Sequence, residues 1–329
     1  MDFNKKLSNT FMVAIVFALI SIVSAHLYFT NAPYAVEKAY SSIGSIGVVA
    51  FLLMAAYFYN TQKYNSILHM LRNKLYTVGL PWLFWGSVSY IYNSLLSRNF
   101  SVIAYLNWML GNGSYLYYLT VLFLLFVIFY RTNTAILISA LAVNVVSLLL
   151  TAMGVLDPVI EFLHITNYLN VFNWVGIFAL GILMKRVNPQ KLFTFFGKTR
   201  WMFSTAFIAA VVVICLLDIP TGYFSYVGIW LELLGVLAIF GVSTIPVLSN
   251  RLFADLSNMS FAVYLIYMMV IGVFDSAYDL NLITQILAVF VVIGISYVAL
   301  LLCRWLIKTI KIDRVFYPLF GFRNVKIKE

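Results

Sequence analysis

Long apolar runs separated by short polar segments occupy most of the chain. A helix needs about 20 consecutive apolar residues to cross the hydrocarbon core of a membrane. Ten stretches approach this length, near residues 11–29, 43–60, 76–96, 114–130, 134–153, 170–186, 201–218, 224–246, 259–277 and 282–307. The run Val121–Phe126 is apolar at every position, whereas a strand of a membrane barrel alternates polar and apolar residues. The pattern therefore predicts an all-α, polytopic transmembrane helical bundle of about ten spans.

The composition excludes a soluble protein. Hydrophobic residues make up 63% of the chain and charged residues only 10%, whereas a soluble domain carries about 25% charged residues. The formal net charge of +10 would suggest a nucleic-acid partner in a soluble protein. In a membrane protein the same excess follows from Lys and Arg in cytoplasmic loops. We therefore expect contact with membrane lipid and no nucleic-acid partner.

The distribution of Lys and Arg predicts the orientation. With the N-terminus inside, nineteen of the 21 basic residues fall in cytoplasmic segments, and only Lys38 and Arg98 fall outside, as the positive-inside rule requires. An even number of spans then places both termini in the cytoplasm, with the protein in the plasma or inner membrane. The connections are loop-sized, so residues 1–329 are expected to form a single membrane domain. The basic, aromatic tail after residue 308 is expected to lie on the inner leaflet.

Two ionisable residues lie within or at the end of predicted spans, where such residues are costly and often functional. His26 lies at the outer end of the first span, and Glu232 lies in the middle of the eighth. Each also has a structural interpretation: His26 as an interfacial histidine bonded to a loop, and Glu232 as a carboxylate paired inside the bundle. The chain has only three histidines, and Cys215 and Cys303 lie in apolar runs without metal-ligand spacing. No metal site is therefore expected.

A second candidate region is the basic segment that precedes Pro81. Its basic residues are Lys63, His69, Arg72 and Lys74. They could hold the phosphates of a cytosolic cofactor, or they could simply determine topology. Lys185 and Arg186, at the end of the sixth span, allow the same two interpretations. The chain contains no P-loop, GxGxxG or HExxH motif.

Five blocks of residues follow one another along the chain in a recognisable order. They are His26, Gly47–Tyr57, Arg72-Asn73-Lys74 with Leu80–Trp85, Tyr115–Leu119 and Leu256–Tyr267. Together with ten predicted spans and both ends inside, this order resembles the acyltransferase-3 family of integral membrane O-acyltransferases. Members of that family commonly act on bacterial surface polysaccharides. The resemblance covers nearly the whole chain.

The chain departs from the family pattern at four places. Ile15 stands where the family has an arginine eleven residues before the histidine, and Ala55-Ala56 replace a Ser-Gly pair. Thr77 stands where a second arginine often precedes the proline, and Tyr267 replaces a late histidine. These changes chiefly concern how the cofactor is held. A divergent active branch and a relative that has lost activity both fit them.

The resemblance implies an O-acyltransferase that moves an acyl group, expected to be acetyl, from cytosolic acyl-CoA to an acceptor hydroxyl. The acceptor would be a surface polysaccharide or its lipid-linked precursor. His26 would act as the general base, and Tyr117, Tyr118 or Tyr267 would orient it or polarise the thioester carbonyl. Glu232 is a further catalytic candidate because of its position in a span. The candidates for holding the cofactor are Lys63, Arg72, Lys74, Lys185 and Arg186.

Two other functions stay open from the sequence. A flippase or export component for lipid-linked glycans would also have many spans and scattered charges, although no internal repeat typical of a carrier is evident. The second alternative is a catalytically inactive, acyltransferase-like membrane protein, suggested by Ile15 and Ala55-Ala56.

Overall fold

Helices form every regular element in the described part of the chain. The structure is a computed structural model, and it describes residues 3–27, 33–277 and 282–322. In chain order the α-helices of these residues are α1 (Phe3–Ser24), α2 (Tyr34–Gly44), α3 (Ile46–Phe58), α4 (Ile67–Lys74), α5 (Leu80–Ser97), α6 (Val102–Leu110), α7 (Tyr117–Ile128), α8 (Thr134–Ala152), α9 (Asp157–Phe162), α10 (Val175–Arg186), α11 (Pro189–Leu217), α12 (Tyr226–Val242), α13 (Arg251–Ala277), α14 (Leu282–Thr309) and α15 (Asp313–Phe320). The predicted all-α class is confirmed for these residues.

Helix is present in all ten stretches that the apolar pattern selected. Within the described residues, six helical segments are long and apolar enough to cross a membrane, judged by length and composition. They are Phe3–Ser24, Tyr34–Phe58, Thr134–Ala152, Pro189–Leu217, Arg251–Val273 and Gln285–Thr309. Two shorter apolar helices are Tyr117–Ile128 and Tyr226–Val242. The protein is therefore a multi-pass membrane protein, while the count of ten spans and the side of the termini stay predictions.

The first predicted span, near residues 11–29, extends past the end of α1, and its last two residues lie outside the described part of the chain. Helix α1 runs from Phe3 to Ser24, and His26 lies beyond it in a turn. The backbone N–H of His26 donates to the carbonyl of Val23, and that of Leu27 donates to the carbonyl of Ser24. Such three-residue bonds tighten and close the end of an α-helix. The histidine is thus carried by a turn and not by the helix.

Side-chain caps set where several helices begin. The side chain of Asn133 accepts a hydrogen bond from the backbone N–H of Ile136 at the start of α8, and Ser225 does the same for Gly228 at the start of α12. Asn188 caps α11, whose first residue is Pro189. Caps of this kind satisfy helix N–H groups that lack a partner, and proline at the first helical position loses no intrahelical bond.

One compact unit comprises the described parts of residues 1–59, 132–257 and 279–290, and we call it the first unit. Within it α3 packs against α1 and α10, while α11 packs along α12. Small residues allow the backbones to approach, because a Cβ added to Gly47 would lie 2.5 Å from the carbonyl oxygen of Ala18. Close contact through small residues is the usual basis of helix packing in membranes, where apolar burial drives association only weakly.

The second unit comprises the described parts of residues 60–131, 258–278 and 291–329. Here α4 continues into α5 through a π-helical segment, Leu75–Gly79. Pro81 lies just after this segment and has no backbone N–H to donate. The π-helical turn therefore lies where the hydrogen bonds of a regular α-helix would be interrupted.

The aromatic tail packs against its own unit. In α15 the ring of Phe320 lies with its centroid 5.4 Å from that of Phe84 and 5.1 Å from that of Trp85. Gly321 follows with a φ of 74° and lies close to Phe261 and Pro81. The expectation that the tail after residue 308 lies on the inner leaflet stays a prediction, and residues 323–329 of the tail lie outside the described part of the chain.

Candidate active site of the acyltransferase-3 domain

His26 lies in a half-buried turn at the end of α1 in the first unit. Burial lowers the pKa of its imidazole from 6.5 to about 4. Removal of water disfavours the charged form of a histidine, so the ring is neutral at pH 7. A neutral imidazole can accept a proton, as a general base must.

The end of α2 holds this turn in place. Gly44 packs directly on Ala25, and a Cβ added to Gly44 would lie 2.5 Å from the Cα of Ala25. The hydroxyl of Ser21 donates to the carbonyl oxygens of Ile43 and Gly44, the second at 3.3 Å. Two helix ends are thereby joined next to His26, and the imidazole is attached to a rigid part of the unit.

An ion pair fixes α2 in the same unit. The ammonium of Lys38 lies 3.1 Å from Oδ1 of Asp218, and the hydroxyl of Tyr34 donates to the same carboxylate. Asp218 ends α11 with a φ of 49°. Lys38, which the sequence places outside, therefore has its charge compensated locally. An exposed pair of this kind contributes little to stability but fixes geometry.

Glu232 lies on α12 and is only 6% exposed. Within the described part of the chain, its Oε1 atom has no hydrogen-bond partner. The structural interpretation of Glu232, as a carboxylate paired inside the bundle, is therefore not supported by any contact of Oε1. Buried polar atoms without a partner are rare and costly, so Glu232 keeps its place as a candidate.

Tyr267 belongs to a cluster of tyrosines in the second unit. Its ring is fully buried, with centroids 5.6 Å from Tyr115 and 6.0 Å from Tyr264. The hydroxyl of Tyr115 donates to the carbonyl of Leu265 at 2.8 Å, and that of Tyr264 donates to the carbonyl of Tyr115. These reciprocal bonds tie α13 to the start of α7. The cluster accounts for the burial of Tyr267 by packing, and no catalytic contact of Tyr267 is needed to explain it.

A cavity of about 550 Å³ opens along α4, the π-helical segment and α5 in the second unit. It is lined by His69, Arg72, Asn73, Leu75, Tyr76, Gly79, Leu80 and Leu83. The lining residues come from successive turns of α4, the π-helical segment and α5. The polar residues lie at one end, and the remaining lining is apolar apart from the hydroxyl of Tyr76. This arrangement suits a ligand with an anionic head and a long, less polar arm.

Arg72 has no carboxylate near it in sequence. No Asp or Glu occurs between Glu37 and Asp157. Among the described residues, both ion pairs belong to the first unit, and neither involves Arg72. A guanidinium at the end of a cavity without a carboxylate partner is a ready site for phosphate oxygens, which it can bind with two parallel hydrogen bonds.

The comparison with known families is decisive for the class of protein. The family model described as an acyltransferase domain, Acyl_transf_3, matches residues 16–305. The chain belongs to the acyltransferase-3 family. Neither the curated proteins nor the solved structures yield a match to it. The matched range of this acyltransferase-3 protein contains His26, the cavity, Glu232 and Tyr267, and the resemblance drawn from the five sequence blocks is confirmed.

The other basic candidates do not line the cavity of the acyltransferase-3 protein. The ammonium of Lys74 lies 3.6 Å from the ring centroid of Phe126, a cation–π contact. Lys185 donates to the carbonyl of Tyr59 at 3.0 Å, and Arg186 donates to the hydroxyl of Thr134 at 2.8 Å, both in the first unit. Lys63 is exposed. Of the five residues predicted to hold the cofactor, only Arg72 is among the residues that line this cavity, and the assignment of all five stays a prediction.

The cavity also contains residues to which the sequence assigned no role in binding. Asn73 accepts a hydrogen bond from the hydroxyl of Tyr64 at 3.1 Å, and Tyr64 packs edge-on against His69. Tyr76 lies in the π-helical segment. Pro81 is the one sequence signal of an irregular turn here, because a proline inside a helix disrupts the preceding turn.

Two of the residues that depart from the family pattern, Ala56 and Thr77, have defined local contacts. Ala56 faces Gly181 of α10, where a Cβ added to the glycine would lie 2.6 Å from the Cβ of Ala56, so a small residue is required. Thr77 donates its hydroxyl to the carbonyl of Asn73 at 2.9 Å, within the helix. Ile15 is half-buried on α1, and nothing in the structure explains why it replaces an arginine.

Proposed function

We propose that this membrane acyltransferase moves an acetyl group from cytosolic acetyl-CoA to a hydroxyl of a bacterial surface polysaccharide or its lipid-linked precursor, in the inner membrane. Membership of the acyltransferase-3 family supports the reaction class. The single observation that carries the catalytic assignment is the position of His26, on a tightly packed turn where Gly44 contacts Ala25 and Ser21 bonds the end of α2.

His26 supplies the base in this proposal. Its neutral ring takes the proton of the acceptor hydroxyl while the oxygen attacks the acyl carbonyl carbon. The new C–O bond forms, the C–S bond breaks, and the CoA sulfur leaves with the proton that the imidazolium returns. Proton transfer by a positioned side chain contributes typically 10²–10⁴ in rate.

The cavity at Arg72 is proposed to bind the donor. Arg72 would pair with CoA phosphate oxygens, since no carboxylate competes for the guanidinium within this stretch of sequence. The lining beyond Arg72, which includes Leu75, Leu80 and Leu83, would accommodate the less polar arm. CoA is favoured over an uncharged acyl donor because Arg72 has no neighbouring carboxylate in the sequence and lines a mainly apolar cavity.

The test is the substitution His26→Gln, compared with His164→Gln at an exposed position of the same unit. Glutamine keeps a hydrogen-bonding side chain but cannot take a proton at neutral pH. We expect His26→Gln to lower O-acylation of the envelope glycan by about 10²-fold or more, at matched protein levels, while His164→Gln is unaffected. Mass spectrometry of the glycan measures this. Near-normal acylation in His26→Gln would remove the catalytic assignment and favour an inactive relative or a glycan carrier.

A further inference from the structure

Four aromatic rings cluster at one end of the first unit. The cluster consists of Tyr168, Trp174, Tyr223 and Phe224, and we call it the aromatic cluster. Tyr168 lies 5.5 Å from Tyr223 and 5.4 Å from Phe224, measured between ring centroids. Trp174 lies 5.8 Å and 5.7 Å from the same two rings. Trp174 is 1% exposed, whereas Tyr168 is 37% exposed. The cluster therefore has a buried base and presents Tyr168 at the surface.

Hydrogen bonds hold this surface rigid. The indole N–H of Trp174 donates to the carbonyl of Tyr168 at 2.9 Å. At the preceding residue, the buried Oδ1 of Asn173 accepts hydrogen bonds from the hydroxyls of Ser147 and Thr151, at 2.6 and 3.2 Å. The segment that carries Tyr168 is thus pinned to α8. A ligand that binds a preorganised surface loses little ordering entropy there.

The aromatic cluster lies at the same end of the first unit as His26. The hydroxyl of Tyr223 donates to the carbonyl of Gly44 at 3.3 Å, and Gly44 packs on Ala25, the residue before His26. The opposite end of this unit is marked by Lys185, which bonds the carbonyl of Tyr59 beyond the end of α3. Contacts within one unit therefore connect the aromatic surface to the turn that carries the catalytic base.

Polar groups beside the rings suit hydroxyl groups of a ligand. Thr166 and Asn167 immediately precede Tyr168 in the sequence. Within the described residues, Oγ1 of Thr166 and Oδ1 of Asn167 have no hydrogen-bond partner. A buried polar atom without a partner is unfavourable, and a ligand hydroxyl that reaches it after a side-chain rearrangement would remove this cost. In the same unit Lys38 and Asp218 compensate each other, so these two residues present no uncompensated charge. The aromatic rings, the two oxygens without a partner and the compensated Lys38–Asp218 pair together favour a neutral ligand over an anion. Such a ligand would have an apolar face and hydroxyl groups.

We propose that the aromatic cluster, with Thr166 and Asn167, is the subsite that binds a pyranose ring of the acceptor glycan. This inference rests on the proposed function, and it deepens it by naming the residues that recognise the acceptor. The C–H face of a sugar ring packs on Tyr168, and the ring hydroxyls bond to the adjacent side chains. A site built to bond sugar hydroxyls discriminates strongly against analogues that lack them.

The first experiment identifies the occupant directly. The photoreactive residue p-benzoylphenylalanine replaces Tyr168 in the full chain, and in a second variant it replaces Phe162, an 81% exposed aromatic on α9. Both are irradiated in intact cells in the His26→Gln background, where acylation is blocked. We expect a glycan adduct, detected by sugar analysis of the purified protein, at position 168 and not at 162. A lipid adduct without sugar, a protein adduct or no adduct at 168 would overturn the proposal.

The second experiment measures the effect on transfer. Unacylated polysaccharide from His26→Gln cells serves as acceptor for purified variants. Tyr168→Ala should raise the acceptor KM at least tenfold, with the KM for acetyl-CoA unchanged, and Tyr168→Phe should restore most of the affinity because it keeps the ring. Phe162→Ala should leave both KM values as they are. Equal changes in both KM values for Tyr168→Ala would indicate a structural defect and contradict the assignment.

The two proposals fail in different ways. Glycan cross-linking at position 168 without His26-dependent acylation would keep the sugar subsite and remove the transferase mechanism. Acylation that depends on His26, without glycan cross-linking at position 168, would keep the mechanism and remove the subsite.

Discussion

Gly44 and Ala25 are packed so closely that a Cβ on Gly44 would lie 2.5 Å from the Cα of Ala25. Real Cβ atoms do not approach other heavy atoms this closely, so the contact exists only because residue 44 is glycine. Ala25 immediately precedes His26, and backbone movement at Ala25 must move the imidazole. The position of the proposed base is therefore set by the absence of a side chain on another helix.

The first prediction follows from this contact. Gly44→Ala should lower acyl transfer by at least about tenfold without removing His26, since misplacement of a reacting group by 1 Å can cost about 10²-fold. Glycan acylation is measured by mass spectrometry and normalised to protein level. The control is Gly197→Ala on α11, where the nearest atom to an added Cβ is Oγ1 of Thr244 at 3.8 Å. Full activity in Gly44→Ala would show that this packing does not position His26.

The second prediction concerns pH. Burial lowers the pKa of His26 to about 4, so the ring stays neutral and able to accept a proton throughout the range above about pH 5. We expect kcat/KM to be level from neutral pH down to about pH 5 and to fall as the imidazole becomes protonated near pH 4. Initial rates of acetyl transfer by purified protein measure this profile. A midpoint near 6.5, the ordinary histidine value, would contradict the burial of His26.

The apolar pattern predicts the helices well because each membrane helix satisfies its own backbone, so the necessary signal is local. His26 was found for the same reason, since an ionisable residue in an apolar run is visible by itself. The partners of Lys74 and Lys185 were not predictable. Lys185 bonds the carbonyl of Tyr59, 126 residues away, and basic residues in short loops look alike whether they bind phosphate, a ring or a backbone oxygen. The cavity was not predicted, because three of its lining residues, Leu75, Tyr76 and Gly79, lie in a π-helical segment that the apolar pattern does not indicate.

The third prediction tests the support of the aromatic cluster. Asn173 is 1% exposed, and its Oδ1 accepts two hydroxyl hydrogen bonds. Asn173→Ala removes this acceptor and leaves two buried hydroxyls to find new partners, which should destabilise the protein by about 1–3 kcal/mol. Thermal unfolding in detergent should therefore begin at a lower temperature. Asn99→Ala, at an exposed loop position, is the control, and an equal shift in both variants would contradict the role of the network.

The last prediction separates the two basic residues on either side of Asn73. Arg72 lines the cavity, whereas the ammonium of Lys74 lies over the ring of Phe126. Arg72→Gln should weaken the binding of acetyl-CoA by about tenfold or more, because a hydrogen bond to a charged group contributes about 1.5–3 kcal/mol and about 1.4 kcal/mol is a factor of ten. Lys74→Gln should reduce thermal stability more than it reduces affinity.

Calorimetry on the purified protein gives the dissociation constants, and Arg131→Gln serves as the control because Arg131 is an exposed residue of the same unit. Arg72→Lys adds a sharper comparison. A lysine keeps the charge but loses the planar pair of donors that grips a phosphate, so its affinity should fall between those of the native protein and Arg72→Gln. Higher salt should reduce the differences in dissociation constant between the native protein and the Arg72 variants, since exposed charge pairs are screened. If Arg131→Gln weakened binding as much as Arg72→Gln, net positive charge and not the cavity would account for the affinity, and the donor site would have to lie elsewhere.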